Sequence, residues 1–182
     1  SEPVFMKAVV YREYAPDDDY AKILKVEDID EPKPKADEVI FTNKASALNY
    51  NDIWGMRGVP IPVPLPHVSG SDVAGDVIAV GEDVKGFKVG DRVVSHSNLA
   101  CRVCGMCTSG REFDCAKRLV WGFQTGPNWG AFSEITHLPE VNVSKIPEGV
   151  SYDEAAAASM TILTSWHMLV GRAKITPGQT VL

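Results

Sequence analysis

Proline and glycine punctuate the first 150 residues so closely that helices of useful length cannot form there. Proline lacks the backbone donor a helix needs and its ring clashes with the preceding turn. Pro60, Pro62, Pro64 and Pro66 alternate through GVPIPVPLPH, residues 58–67, and fix an extended path. Twelve prolines and fifteen glycines in 182 residues therefore exclude a helical bundle. What lies between the turns reads as short strands: Met6–Tyr11, Ile23–Ile29, Val39–Leu48, Ser71–Val84, the stretch after the Gly90-Asp91 turn, Gly130–Leu138 and Val141–Ile146. Val39, Phe41, Asn43 and Ala45 share one face of the third. Tyr14–Tyr20 reads as a solvated turn and Asn49–Arg57 as a short helix. The expected fold is mainly β, a partly open β-barrel followed by C-terminal helices.

The character changes at Pro147. Ser151-Tyr152-Asp153-Glu154 is a capping box, in which the serine accepts an N–H at the helix start and the glutamate reaches back. Alanines 155–158 continue that helix, and a second is expected over Leu163–Arg172. Pro177-Gly178-Gln179 is a turn, and Thr180-Val181-Leu182 begins an apolar strand.

Charge and hydropathy exclude several functions. The formal charge is −6, from 18 basic and 24 acidic residues, which argues against nucleic-acid and anionic-membrane surfaces. No run reaches the roughly 18–20 apolar residues of a membrane helix; Ser159, Thr161, Thr164, Ser165 and His167 interrupt the nearest, Ala155–Val170. The first residues show no cationic start and apolar run of a signal peptide, so a cytoplasmic location is expected.

All four cysteines lie within fifteen residues, as C-x2-C-x2-C-x7-C: Cys101, Cys104, Cys107 and Cys115. Four thiolates this close can surround one Zn²⁺ at about 2.3 Å, and with no open position the ion is structural. Gly105, Thr108, Ser109 and Gly110 suit the tight loops; Arg102, Arg111, Lys117 and Arg118 are placed to offset the charge of the site. The competing readings are two disulfides, an iron–sulfur cluster and free thiols; a bacterial iron–sulfur run would place its fourth cysteine closer and follow it with proline.

KAVVYREY, the block GSDVAGDVIAVGEDVKGFKVGDRVV, the cysteine lobe, GAFSEI and the closing TPGQTVL together resemble the medium-chain dehydrogenase/reductase superfamily, over nearly the whole chain. The resemblance implies a GroES-like catalytic domain over residues 1–176, with the zinc lobe at 98–118. Residues 177–182 would be the first of a Rossmann domain that binds NADPH or NADH. No G-x-G-x-x-G occurs in the chain, which we read as truncation at that boundary. Zinc alcohol dehydrogenases of the superfamily hold a second, catalytic zinc through a Cys, a Gly-His-Glu block and a later Cys. Here those regions read ALNYND, Gly70-Ser71-Asp72 and AAASMTILTSW, so a catalytic zinc and metal-alkoxide chemistry are not expected.

NYND, HVSGSD, SHSN, the WGF-x-T segment and TILTSWHML are most similar to the crotonyl-CoA carboxylase/reductase group and its enoyl and quinone reductase neighbours. The resemblance implies hydride delivery to an α,β-unsaturated acyl-CoA. It assigns catalytic positions to Asn49, Asn51, Asp72 and Phe123 and a cofactor contact to Thr164, and it implies a homo-oligomer at full length. That group associates an acid after the WGF phenylalanine with CO₂, and Gln124 stands there, which weakens carboxylation. Tyr50, Asp72 and His67 are possible proton donors. The alternatives are a quinone or activated-alkene reductase, a zinc alcohol dehydrogenase, or a non-enzymatic GroES-like binding module. Each residue also has a structural reading. Asn51 and Asp52 could cap the short helix, Asp72 could pair with an arginine, and Phe123 and Trp121 could be core. Thr164 could bond back to its helix, His67 could cap a loop, His96 could bond backbone, and His137 could be a surface residue.

Overall fold

The computed structural model describes residues 4–181. Its strands are β1 Phe5–Val10, β2 Lys25–Asp30, β3 Glu38–Thr42, β4 Ala45–Ala47, β5 Asp72–Val80, β6 Arg92–Ser95, β7 Asn98–Leu99, β8 Leu119–Val120, β9 Ile135–Pro139 and β10 Val143–Lys145. Its α-helices are α1 Tyr20–Ile23, α2 Tyr50–Arg57, α3 Gly105–Thr108 and α4 Tyr152–Trp166.

The main sheet runs β10-β6-β5-β3-β9, with β4 also on β5, and every pair is antiparallel. Its two outer strands are consecutive in the chain, separated only by the 3₁₀ turn Glu140–Asn142. The sheet must curl to bring its edges together, and that curl makes the partly open barrel. Val39, Phe41, Val73, Val77, Val93, Trp121 and Leu138 fill the interior. β1 and β2 form a separate ribbon, tied to the barrel where Val9 N–H donates to Phe132 O at 2.8 Å and Tyr11 and His67 exchange backbone bonds. A second apolar cluster of Tyr11, Ile23, Met56, Val63 and Phe123 lies under α2.

Several expected elements are redrawn. Val39–Leu48 is two strands. The chain steps off β3 after Thr42 and resumes at Ala45, because Asn43 Nδ2 donates to Ala131 O (2.7 Å) and Ser133 O (3.2 Å) across the barrel wall. The break needs Gly75 on β5, where a Cβ would lie 1.6 Å from Thr42 O. Gly130–Ser133 is not strand but a turn hydrogen-bonded to Ser69 and Gly70. The two expected C-terminal helices are one: α4 passes without interruption into a π-helical stretch, His167–Arg172. No glycine or proline stands between Ser151 and Val170 to break it. Ser151 caps it as expected, accepting from Glu154 N–H at 3.2 Å while Glu154 accepts from Ser151 N–H at 2.9 Å. Ala155 and Ala156 dock it on Ala74 and Ile146. Thr180 and Val181 form no strand, and Leu182 lies outside the described residues.

Candidate functional site

α2 and the start of β5 bring the predicted polar residues together. Asn49, at the N-cap of α2, donates from Nδ2 to Asp72 Oδ2 at 2.9 Å. Asp72 Oδ1 accepts the backbone N–H of Met160, on α4, at 3.0 Å. Asp72 is fully buried, and burial pushes its carboxyl above the ordinary value against the pull of these donors. It pairs with no arginine; two amides serve that role.

The residue capping the helix from inside is Asp52, not Asn51. Asp52 Oδ2 accepts Asn49 N–H at 2.8 Å and Oδ1 accepts Gly70 N–H at 3.0 Å. Buried to 2% exposure, its carboxyl is pushed up to about 6 by desolvation, helped by the charge of Asp72. Sequence reasoning gave Asp52 only a capping role. The signal that could have found it is the acid three residues after the cap, the reach-back position.

Asn51 faces a different partner. Its Nδ2 donates to Ser71 Oγ at 2.9 Å, and Ser71 Oγ donates to Trp121 O at 2.8 Å. Because the Ser71 proton is committed to that carbonyl, its oxygen must accept, and the Asn51 amide orientation is fixed. Asn51 Oδ1 is left buried with no partner in the protein, a state that costs free energy unless a ligand donates to it.

The other predicted residues lie apart. Phe123 packs in the cluster under α2, beside Gly55 and Met56. Thr164 is exposed on α4 and lines a cleft of about 850 Å³ with Gln124. The back-bond to a helix carbonyl is made by Thr161 instead, to Ala157 O at 2.7 Å. His67 has no exposure, and its ring nitrogens face Pro64 O and Gly122 O, each at 3.1 Å, so it reaches no cleft. Burial lowers its pKa. His137 is not a free surface residue: its Nδ1 lies 3.1 Å from Glu38 Oε2. Burial works to raise the Glu38 carboxyl, and hydrogen bonds from Lys35 and the His137 partnership outweigh it, so the net shift is downward.

The cysteine lobe hangs on the β7–β8 ribbon. Its four Sγ atoms lie within 4.8 Å of one another, Cys101 to Cys107 at 3.9 Å and Cys104 to Cys107 at 3.5 Å. Bonds of about 2.3 Å at tetrahedral angles put sulfurs about 3.8 Å apart, so the set fits one tetrahedral ion. Backbone N–H groups of Val103 and Cys104 lower the Cys101 thiol, while burial pushes the Cys107 thiol up. Of the nearby cations, Arg102 pairs with Glu112 through one guanidinium nitrogen, and Arg111 pairs with Asp114.

Residues 35–148 match the alcohol dehydrogenase GroES-like domain. The chain belongs to that family. It is therefore a member of the medium-chain dehydrogenase/reductase superfamily. It is 34% identical, over 87% of its length and 38% of the relative's, to a crotonyl-CoA carboxylase/reductase of Cereibacter sphaeroides. It is 32% identical to an acryloyl-coenzyme A reductase of Metallosphaera sedula, over 97% of this chain and 50% of that one. Among solved structures, an NAD-dependent alcohol dehydrogenase superposes with a TM-score of 0.87 at 39% identity, covering 95% of this chain and 49% of that one. The GroES-like chain thus spans half or less of the length of these relatives. Where zinc members of the superfamily place catalytic ligands, this member presents the Asn49 amide, the Ser71 hydroxyl already donating to a carbonyl, and Met160, which offers a backbone N–H. That set does not fit a catalytic zinc, which needs three lone-pair donors aimed at one point.

Proposed function

We propose that this chain is the catalytic-domain portion, residues 1–176, of an NAD(P)H-dependent reductase acting on an α,β-unsaturated acyl-CoA, without a catalytic metal. The observation that carries the reading is the Asp72 carboxylate held by the Asn49 amide and the Met160 N–H where a cation would otherwise balance it. The curated relatives named for acyl-CoA reduction support the substrate class. When bound, a nicotinamide cofactor would supply the hydride that reduces the β-carbon. The chain's own task is at the other end of the alkene: to stabilise negative charge on the thioester oxygen and to see a proton placed on the α-carbon. Each asparagine amide has two N–H donors. Asn49 spends one on Asp72 and Asn51 one on Ser71, which leaves one apiece for that oxygen. Asp52, titrating near 6, is the acid closest to a working proton donor at neutral pH. The four cysteines hold one structural Zn²⁺, and Thr164 contacts the cofactor.

The test is a full-length assay with NADPH and crotonyl-CoA, with and without bicarbonate, alongside metal analysis. One zinc per chain and reduction that strong chelation of a second site does not affect are expected. Asn49→Ala should lower kcat by roughly 10²-fold, the scale of a lost oxyanion donor. Two zincs per chain, or oxidation of simple alcohols in place of enoyl-CoA reduction, would establish the dehydrogenase reading that the alcohol dehydrogenase likeness favours.

A further inference from the structure

Three of the concavities on the surface differ in charge. The pocket of about 370 Å³ beside Leu48, Tyr50 and Ile53 is apolar, with Asp52 its one charged residue. The groove of about 360 Å³ beside Trp129 balances Lys33 and Lys35 against Asp30 and Glu38. The cleft of about 850 Å³ between the cysteine lobe and the end of α4 sets three arginines, Arg102, Arg118 and Arg172, against one carboxylate, Glu112. That is a local cation excess on a chain whose net charge is −6.

The arginines are incompletely used. Arg118 is exposed, has no carboxylate within ion-pair reach among the described residues, and reaches only Cys115 O, at 3.5 Å. Arg102 pairs with Glu112 at 3.2 Å, yet its Nε is buried without a partner, and its backbone sits at φ 63°, a costly conformation for a side chain of this size. Arg172 lies 3.7 Å from Asp114, just behind the cleft, with its guanidinium 5.1 Å from the Phe113 ring. Guanidinium groups with spare donors, lining one cleft of this volume, match phosphate oxygens better than any neutral ligand. A concave low-dielectric wall concentrates their field.

We propose that this cleft binds the phosphorylated end of a nucleotide ligand, with Arg118 and Arg102 facing the phosphates and Arg172 completing the rim. The proposal rests on the reductase reading above, in which two such ligands arrive: the CoA of the substrate and the dinucleotide. Their shared chemistry is a diphosphate on a nucleoside. Its place beside Thr164 and Leu163 puts the anion site within reach of the helix that the cofactor contact is assigned to.

Calorimetric titration of the 182-residue chain with CoA, with NADPH and with inorganic phosphate tests this. We expect one site for CoA or NADPH, tighter than for phosphate and weaker as salt rises. Arg118→Gln and Arg172→Gln should each weaken it about tenfold, the scale of a lost charged hydrogen bond. Both residues are exposed, so circular dichroism and zinc content should match the parent chain. CoA alone binding assigns the cleft to the substrate, NADPH alone to the cofactor, and either supports the proposal. No binding in the micromolar range, equal affinity for inorganic phosphate, or heats that both substitutions leave unchanged overturn it. The two readings fail separately. Nucleotide binding lost in R118Q, with no enoyl-CoA reduction at full length, sinks the reductase and keeps the cleft. Reduction whose KM is unchanged in R118Q does the reverse.

Discussion

Asp52 carries the residue-scale consequence of burying an acid beside another acid. Its two oxygens accept backbone N–H groups from Asn49 and Gly70, but desolvation dominates and lifts the carboxyl to about 6 from an ordinary 3.8. A raised acid pKa means that the folded chain takes up the proton before the unfolded chain does. Stability from this group is therefore greatest at low pH and is lost as pH rises from about 4 through about 6. Measured by urea unfolding as the difference between the parent and Asp52→Asn, the parent's advantage should shrink by roughly 1 kcal/mol between pH 5 and pH 7. A difference that is flat or grows with pH would contradict the burial argument. A second residue-scale test concerns Gly122, whose φ is 76° and whose added Cβ would lie 1.9 Å from Gly70 O. Gly122→Ala should cost on the order of 3 kcal/mol or more. Gly110→Ala, at φ 73° but with nothing within 4 Å, should cost only about 1 kcal/mol. Equal losses in urea would show that conformation alone, not the backbone approach, sets the price.

Among the elements, α4 has the clearest sequence signature and the weakest anchoring at its far end. Its first turn is fixed by the Ser151–Glu154 box and by Tyr152, whose hydroxyl donates to Asp76 Oδ1. Ser151→Ala should cost about 1 kcal/mol and lower Tm by roughly 2–4 °C; no change in a calorimetric scan would mean that docking on Ala74 and Ile146 alone holds the helix start. The strand boundaries were less legible. β3 and β4 read as one strand, because local hydrophobicity cannot report a carbonyl–glycine approach between Thr42 and Gly75 from distant parts of the chain. The two-helix reading failed for the opposite reason: polar residues interrupt the apolar run without breaking backbone hydrogen bonding. Ser159 and Thr161 donate to carbonyl oxygens, at Ser95 and Ala157, and the helix continues.

For the whole molecule, exposed apolar side chains are spread along the chain, Val26, Leu48 and Val103 among them, and the C-terminal helix with its continuation carries one group. Ile162, Trp166 and Met168 are 60%, 65% and 54% exposed, while the barrel interior is closed. A patch of this kind favours association. Light scattering of the 182-residue chain should show concentration-dependent self-association that Trp166→Gln reduces without lowering Tm, since Trp166 contributes little to the core. Association that persists unchanged in W166Q would place the contact elsewhere. The described helices include none long and apolar enough to cross a membrane.

The sequence alone determined the features that depend on spacing and local chemistry. Proline and glycine spacing dictates short strands, four cysteines in fifteen residues dictate one metal-sized cluster, and a capping box dictates where α4 begins. Those signals are local, so they survive without tertiary information. Only the tertiary structure decided which polar residues meet. Asn49, Asp72 and Met160 converge from three separate elements. Asn51 is turned by Ser71 and Trp121, and Phe123 and His67 are withdrawn into the interior. Burial is what raises Asp52 and strands Asn51 Oδ1, and burial comes from packing of the whole fold, which no window of the sequence contains.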